Sequence, residues 1–167
     1  MAHPRYSNIF RTAASLFHAI VETGAIQHGT KNYGTRTYNS TMPRILYIED
    51  NRDNRMLVRR VLLAEGFEVV EAGSAQEGFE LAEAEPPDLI LMDINMPTLD
   101  GLTATGHIRQ NSVLQHIPVV ALTANVMRGD REKALDAGCD GYIQKPIDVD
   151  RFPSEILRFI RQFGRPG

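Results

Sequence analysis

Five short apolar runs alternate with five longer amphipathic stretches from Arg44 onward, and few architectures accommodate that rhythm. The runs lie near Ile45–Ile48, Phe67–Glu71, Leu89–Met92, Val119–Leu122 and Tyr142–Ile143. Between them helices are expected near Asp53–Glu65, Ser74–Glu85, Gly101–Asn111, Met127–Ala137 and Val149–Phe163. The central run, short and closed by turn residues, reads as a strand covered on both faces, and the alternation of all five with helices points to an α/β doubly wound parallel sheet. On the first helix Met56, Val61 and Leu63/Ala64 trace an inward stripe before Gly66 stops it. Ser74 stands as N-cap of the second helix, with Glu77 at the capping-box position. Pro86-Pro87 ends that helix and forces an extended approach to the central strand.

The central run, Leu89-Ile90-Leu91-Met92, ends abruptly in Asp93, followed by Asn95. In open parallel sheets ligands bind just beyond the carboxyl ends of the strands. The first strand ends in Glu49-Asp50, the fourth in Thr123, the fifth in Lys145-Pro146 and the second in Glu71-Ala72-Gly73. In the common strand order 2-1-3-4-5, strands 1, 3, 4 and 5 are neighbours, so the first, third, fourth and fifth strands bring their polar residues to one rim. Each residue alone has an ordinary structural explanation: Glu49-Asp50 or Thr123 as a helix cap, Lys145 as a solvated amine. The coincidence of all of them favours chemistry.

Three carboxylates within about 4–6 Å repel by several kcal/mol, so a divalent cation is expected among them. All-oxygen donors suit Mg²⁺. A carboxylate beside Mg²⁺, with a hydroxyl and an ammonium opposite, is suited to receive a phosphoryl group: Asp93 attacks while Thr123 and Lys145 bind phosphoryl oxygens. No glycine-rich phosphate loop follows any strand, which argues against a bound nucleotide.

The motifs Ile48-Glu49-Asp50-Asn51, Leu91-Met92-Asp93-Ile94-Asn95-Met96-Pro97 with Asp100-Gly101, Ala121-Leu122-Thr123-Ala124 and Tyr142-Ile143-Gln144-Lys145-Pro146 resemble the receiver domain of two-component response regulators. The resemblance covers about Pro43 to Phe163 and implies a flavodoxin-like (βα)5 fold. It implies Asp93 as phosphoacceptor, and Glu49, Asp50 and the backbone carbonyl of Asn95 around Mg²⁺, with Glu49 reaching the metal through water. It further implies Thr123 as switch hydroxyl, Lys145 as phosphoryl-binding lysine, Tyr142 as the aromatic that turns inward, and a cis Lys145-Pro146 bond. Ala124 to Lys133 resembles single-domain regulators of the cell-division type and the receivers of hybrid histidine kinases. The reading is therefore a stand-alone receiver, not an enzyme, that is phosphorylated by a histidine kinase or phosphotransfer protein. It would signal to a protein partner through the Met127–Ala137 helix, the Tyr142 strand and the last helix. The alternatives are a phosphorylation-independent adaptor or a detached receiver of a hybrid kinase. A haloacid-dehalogenase-type hydrolase needs a second carboxylate where Asn95 stands, and an FMN carrier needs a hydroxyl-rich loop where Glu49-Asp50-Asn51 stands.

Charge divides the chain in two. Residues 1–41 carry four Lys/Arg and one acid, whereas fourteen bases and twenty acids follow from Met42. Nothing from Met42 onward asks for nucleic acid. Ile9, Phe10, Ala13, Phe17 and Ile20 share a possible helix face, while Gly29 to Thr41 is polar and aperiodic. Residues 1–41 are thus expected to be an extension, disordered or partly helical, and residues 42–167 the receiver, since Met42-Pro43-Arg44-Ile45-Leu46 looks like a natural start. A targeting peptide and a partner-binding helix are the other readings of the extension. The single cysteine, Cys139, excludes an internal disulfide and suits a reducing, cytoplasmic setting. No apolar run approaches the ~18 residues of a membrane span.

Overall fold

A computed structural model describes residues 42–97, 100–124 and 130–164. Five parallel strands lie in the order β2-β1-β3-β4-β5, where β1 is Arg44–Ile48, β2 Glu68–Ala72, β3 Leu89–Asp93, β4 Val119–Thr123 and β5 Gly141–Gln144. The helices are α1 Arg52–Ala64, α2 Ala75–Ala84, α3 Gly101–Gln110, α4 Asp130–Asp136 and α5 Phe152–Phe163. This is the flavodoxin-like doubly wound fold expected from the alternation. Among the described residues no helix is long and apolar enough to cross a membrane.

Side chains on a strand alternate between faces, and here the alternation sorts the core into two layers. Leu46, Ile48, Ile90, Met92, Val119 and Ala121 pack against α2, α3 and α4. Ile45, Tyr47, Leu89, Leu91, Val120 and Ile143 pack against Val58 and Leu62 of α1 and Phe152, Ile156 and Phe159 of α5. By the same period Asp93, the last residue of β3, and Glu49 and Lys145, just past the ends of β1 and β5, continue the second set, which brings two acids and a base to one place. Every residue of β3 is buried, consistent with the central strand of a parallel sheet.

Local chemistry sets the helix boundaries. Asn51 caps α1, its Oδ1 accepting from the N–H groups of Asp53 (2.9 Å) and Asn54 (3.1 Å). Glu49 and Asp50 are therefore not used as caps. Ser74 caps α2 as expected, its Oγ accepting from Glu77 N–H at 3.2 Å. The returning Glu77 carboxylate accepts from Gly73 N–H (2.7 Å), one residue before the cap, which also ties down the end of β2.

The structure corrects several expected details. The inward residues of α1 are Val58 and Leu62, with Val61 half-buried, whereas Met56 and Leu63 are exposed. One strongly apolar i, i+4 pair fixes the rotation of the helix, and the other apolar residues fall on its flanks. β2 begins at Glu68 because Phe67 still belongs to the helix stop: its N–H bonds Leu62 O at 3.1 Å, past Gly66 with φ +82°. α5 begins at Phe152, not Val149, because Asp148 organises a turn first, accepting from Asp150 N–H through Oδ1 (3.1 Å) and from Phe152 N–H through its carbonyl (2.9 Å). α4 starts at Asp130, and the expected start at Met127 lies outside the described residues, as do residues 1–41.

Candidate functional site

Asp93 is the last residue of β3 and is buried. Its Oδ1 accepts from Asn95 N–H at 3.1 Å, and its Oδ2 lies 3.2 Å from Lys145 Nζ. Burial pushes the Asp93 carboxyl above the usual carboxylate range, the charge of Glu49 adds to the push, and the Asn95 N–H and Lys145 oppose it. Gly101, first residue of α3, is what lets that helix pack so closely behind β3. A methyl group there would collide with the Asp93 carbonyl oxygen and lie 2.8 Å from Ile94 Cα.

Glu49 is almost fully buried, and its charge is held by four donors. Oε2 accepts from Lys145 Nζ (2.7 Å), Tyr47 Oη (2.9 Å) and Asn54 Nδ2 (3.2 Å), and Oε1 from Asn51 N–H (3.1 Å). Burial alone would raise the Glu49 carboxyl, but the bonds from Lys145 and Tyr47 and the lysine charge outweigh it and hold Glu49 below its ordinary value. Tyr47 responds in the opposite sense: burial, then the Glu49 charge, push its phenol far above the usual range, so it stays a donor. Arg55 steadies the loop from beneath, Nη1 donating to the carbonyls of Glu49 (2.6 Å) and Asp50 (3.0 Å).

Glu49, Asp50 and Asp93 can bring one carboxylate oxygen each within 4.8 Å of one another, and Asp50 is exposed. Three hard oxygen donors at this spacing, only partly balanced by Lys145, match what a magnesium-sized cation requires. Thr123, buried at the end of β4, stands beside Asp93 in the sheet, since Leu122 pairs with Asp93 and Thr123 with Gln144. Its carbonyl accepts from Lys145 N–H at 2.7 Å, which places the base of the lysine, and Lys145-Pro146 is cis. Tyr142 is not at the pocket. It is exposed on β5, with the Arg131 guanidinium 5.6 Å above its ring.

The structure thus gathers Glu49, Asp50, Asp93, Thr123 and Lys145 at one rim and sets Tyr142 on a neighbouring surface. Tyr47, Asn54 and Arg55 were not among the residues expected to shape it. For Tyr47 a signal exists, since it is the one polar-tipped residue in the apolar run Ile45–Ile48 and shares a face with Glu49 two positions on. Asn54 and Arg55 carry no such signal, because a first-turn polar residue on a helix normally faces water.

A family model for the response regulator receiver domain matches residues 45–157. The polar-differentiation response regulator DivK of Brucella ovis is 41% identical over 116 residues, which is 70% of this chain and 94% of that protein. The DivK of Brucella anthropi is 41% identical over 120 residues, covering 71% and 98%. Among solved structures, the receiver domain of a sensor histidine kinase from Pseudomonas aeruginosa PAO1 superimposes with a TM-score of 0.67 at 34% identity, covering 73% of this chain and all of that one. That structure holds a magnesium ion in its active site cleft. A receiver domain of a histidine kinase from Syntrophus aciditrophicus gives 0.67 at 26% identity, over 75% of this chain and 95% of that one.

Proposed function

The chain belongs to the response regulator receiver domain family of two-component signalling, and from that premise we propose that it takes a phosphoryl group on Asp93 and signals by phosphorylation-dependent protein–protein interaction. The donor is a histidine kinase or a histidine phosphotransfer protein. The observation that carries the reading is the Lys145 ammonium seated between Glu49 and Asp93, at 2.7 and 3.2 Å, at the buried end of the central strand. No ordinary packing need places a cation there.

In this reading Asp93 forms a bond from a carboxylate oxygen to phosphorus as the bond from phosphorus to the donor imidazole nitrogen breaks, and the imidazole leaves. Lys145 then binds a phosphoryl oxygen, and the Thr123 hydroxyl another. Glu49, Asp50, Asp93 and the Asn95 carbonyl would hold Mg²⁺, which would supply positive charge to offset the charge of the transferred group. Glu49 acts mainly through water, because its Oε2 is already filled. Residues 42–167 form the receiver, and residues 1–41 are an extension not needed for this chemistry. The cytoplasm, where a histidine kinase's phosphoryl group is available, is the proposed setting.

Output is assigned to the surface of α4, β5 and α5. A groove of about 800 Å³ there is lined by residues that include Arg131, Leu135, Tyr142, Glu155, Arg158 and Phe159, a mixture of charged groups of both signs and apolar groups suited to a protein partner. Withdrawal of Thr123 toward a new dianion at Asp93 leaves room for Tyr142 to turn inward, which would couple the site to this groove. The likeness to DivK over nearly its whole length favours a stand-alone role over a detached hybrid-kinase receiver.

The test is incubation with Mg²⁺ and acetyl phosphate. One phosphoryl group should be added, and both chelation and Asp93→Asn should abolish the addition. Undiminished addition to the Asp93→Asn chain would refute the assignment of the acceptor, and no addition to the unaltered chain would leave the adaptor reading in its place.

A further inference from the structure

In the structure the Lys145 ammonium rests closer to Glu49 (2.7 Å) than to Asp93 (3.2 Å). To bind a phosphoryl oxygen on Asp93 it must loosen its hold on Glu49. A buried carboxylate that loses its cation with nothing in exchange is strongly destabilised, so the transfer is opposed unless other donors remain. They do remain: Tyr47 Oη and Asn54 Nδ2 reach the same Oε2 at 2.9 and 3.2 Å, and Asn51 N–H reaches Oε1 at 3.1 Å.

Of these donors Tyr47 alone is fully buried, Asn51 being exposed and Asn54 half-buried. Its ring lies in the layer formed with Val58, Leu62, Phe152 and Ile156, where the buried neighbours are aliphatic or phenylalanine. Tyr47 has no exposed surface, so its hydroxyl cannot turn to water instead. A phenylalanine would fill the same space. The hydroxyl is therefore present for Glu49.

We propose that Tyr47 is a positioning residue: its hydroxyl keeps the Glu49 carboxylate satisfied while Lys145 shifts from Glu49 to the phosphoryl group on Asp93. This rests on the phosphoacceptor reading. Without the hydroxyl, Glu49 depends more heavily on Lys145, and the lysine is less available to the phosphoryl group. Metal uptake, which uses Asp50 and the free side of the Glu49–Asp93 pair, should be nearly indifferent to the change.

The experiment measures two affinities on the full chain. Beryllofluoride, a phosphoryl mimic, is titrated at saturating Mg²⁺ and followed by ¹⁹F NMR, and Mg²⁺ alone is titrated by calorimetry. Tyr47→Phe should weaken beryllofluoride binding about tenfold, the size expected for one hydrogen bond to a charged group, and should leave Mg²⁺ affinity within about twofold. Leu62→Ala, a packing change in the same layer, should leave both affinities unchanged relative to the folded fraction. Equal beryllofluoride affinity for Tyr47→Phe and the unaltered chain would overturn the proposal. So would a parallel loss of both affinities, which is what a merely structural tyrosine produces. Equal binding of beryllofluoride by Asp93→Asn, or none by the unaltered chain, would instead overturn the phosphoacceptor reading and this proposal with it.

Discussion

Glu49 lies just past the end of β1, two positions after Tyr47, and the strand period alone puts a phenol beneath a buried carboxylate. Their bond links site chemistry to stability. Glu49 is held below its ordinary value in the folded chain, so the stability it contributes is present above its unfolded value and is lost as pH falls through the folded one. Tyr47→Phe removes one of the donors responsible. Its cost, ~1.5 kcal/mol, should appear in full in urea unfolding at neutral pH and shrink toward acid. An equal cost at both pH values would show that packing, not the charge, is what the tyrosine serves. The acids, Thr123 and Lys145 were legible in the sequence because each ends an apolar run. The donors around Glu49 were not, because a side chain's partner depends on how α1 is rotated against the sheet, and the flanking Met56 and Leu63 obscured that rotation.

At the scale of elements, β1, β3 and β4 were legible because burial on both faces demands apolar runs, the edge strands β2 and β5, partly exposed, were legible from their place in the alternation, and boundary errors arose where turn chemistry competed, as at Phe67 and Asp148. The junction of β3 and α3 is the most sensitive to a single atom. Gly101 sits where a methyl group would strike the Asp93 backbone, whereas Gly106, five residues along the same helix, has nothing within 4 Å of the equivalent position. Gly101→Ala should therefore destabilise by ~1–3 kcal/mol and impair phosphorylation with it, since the strain falls on Asp93. Gly106→Ala should stabilise by ~0.5–1 kcal/mol through helix propensity. Thermal unfolding of the pair checks this: similar shifts in the same direction would mean that α3 is not pressed against the site.

For the molecule as a whole, three clustered carboxylates repel one another and a bound cation relieves that repulsion, so Mg²⁺ should bind the folded chain and not the unfolded one. At a hundredfold excess over Kd the gain is ~2.7 kcal/mol, a rise in Tm of roughly 8–12 °C for a domain of this size. Asp50→Asn should remove most of that rise, and an unchanged Tm for the unaltered chain in Mg²⁺ would argue against a metal site. The most direct test of the account concerns which carboxylate forms the acyl phosphate, since Glu49, Asp50 and Asp93 all line one pocket. The acetyl-phosphate-treated chain is reduced with borohydride, which converts an aspartyl phosphate to homoserine, and the peptides are read by mass spectrometry. The account predicts homoserine at position 93 alone, dependent on Mg²⁺; homoserine at position 50, or none in a chain that has taken up phosphate, would contradict it.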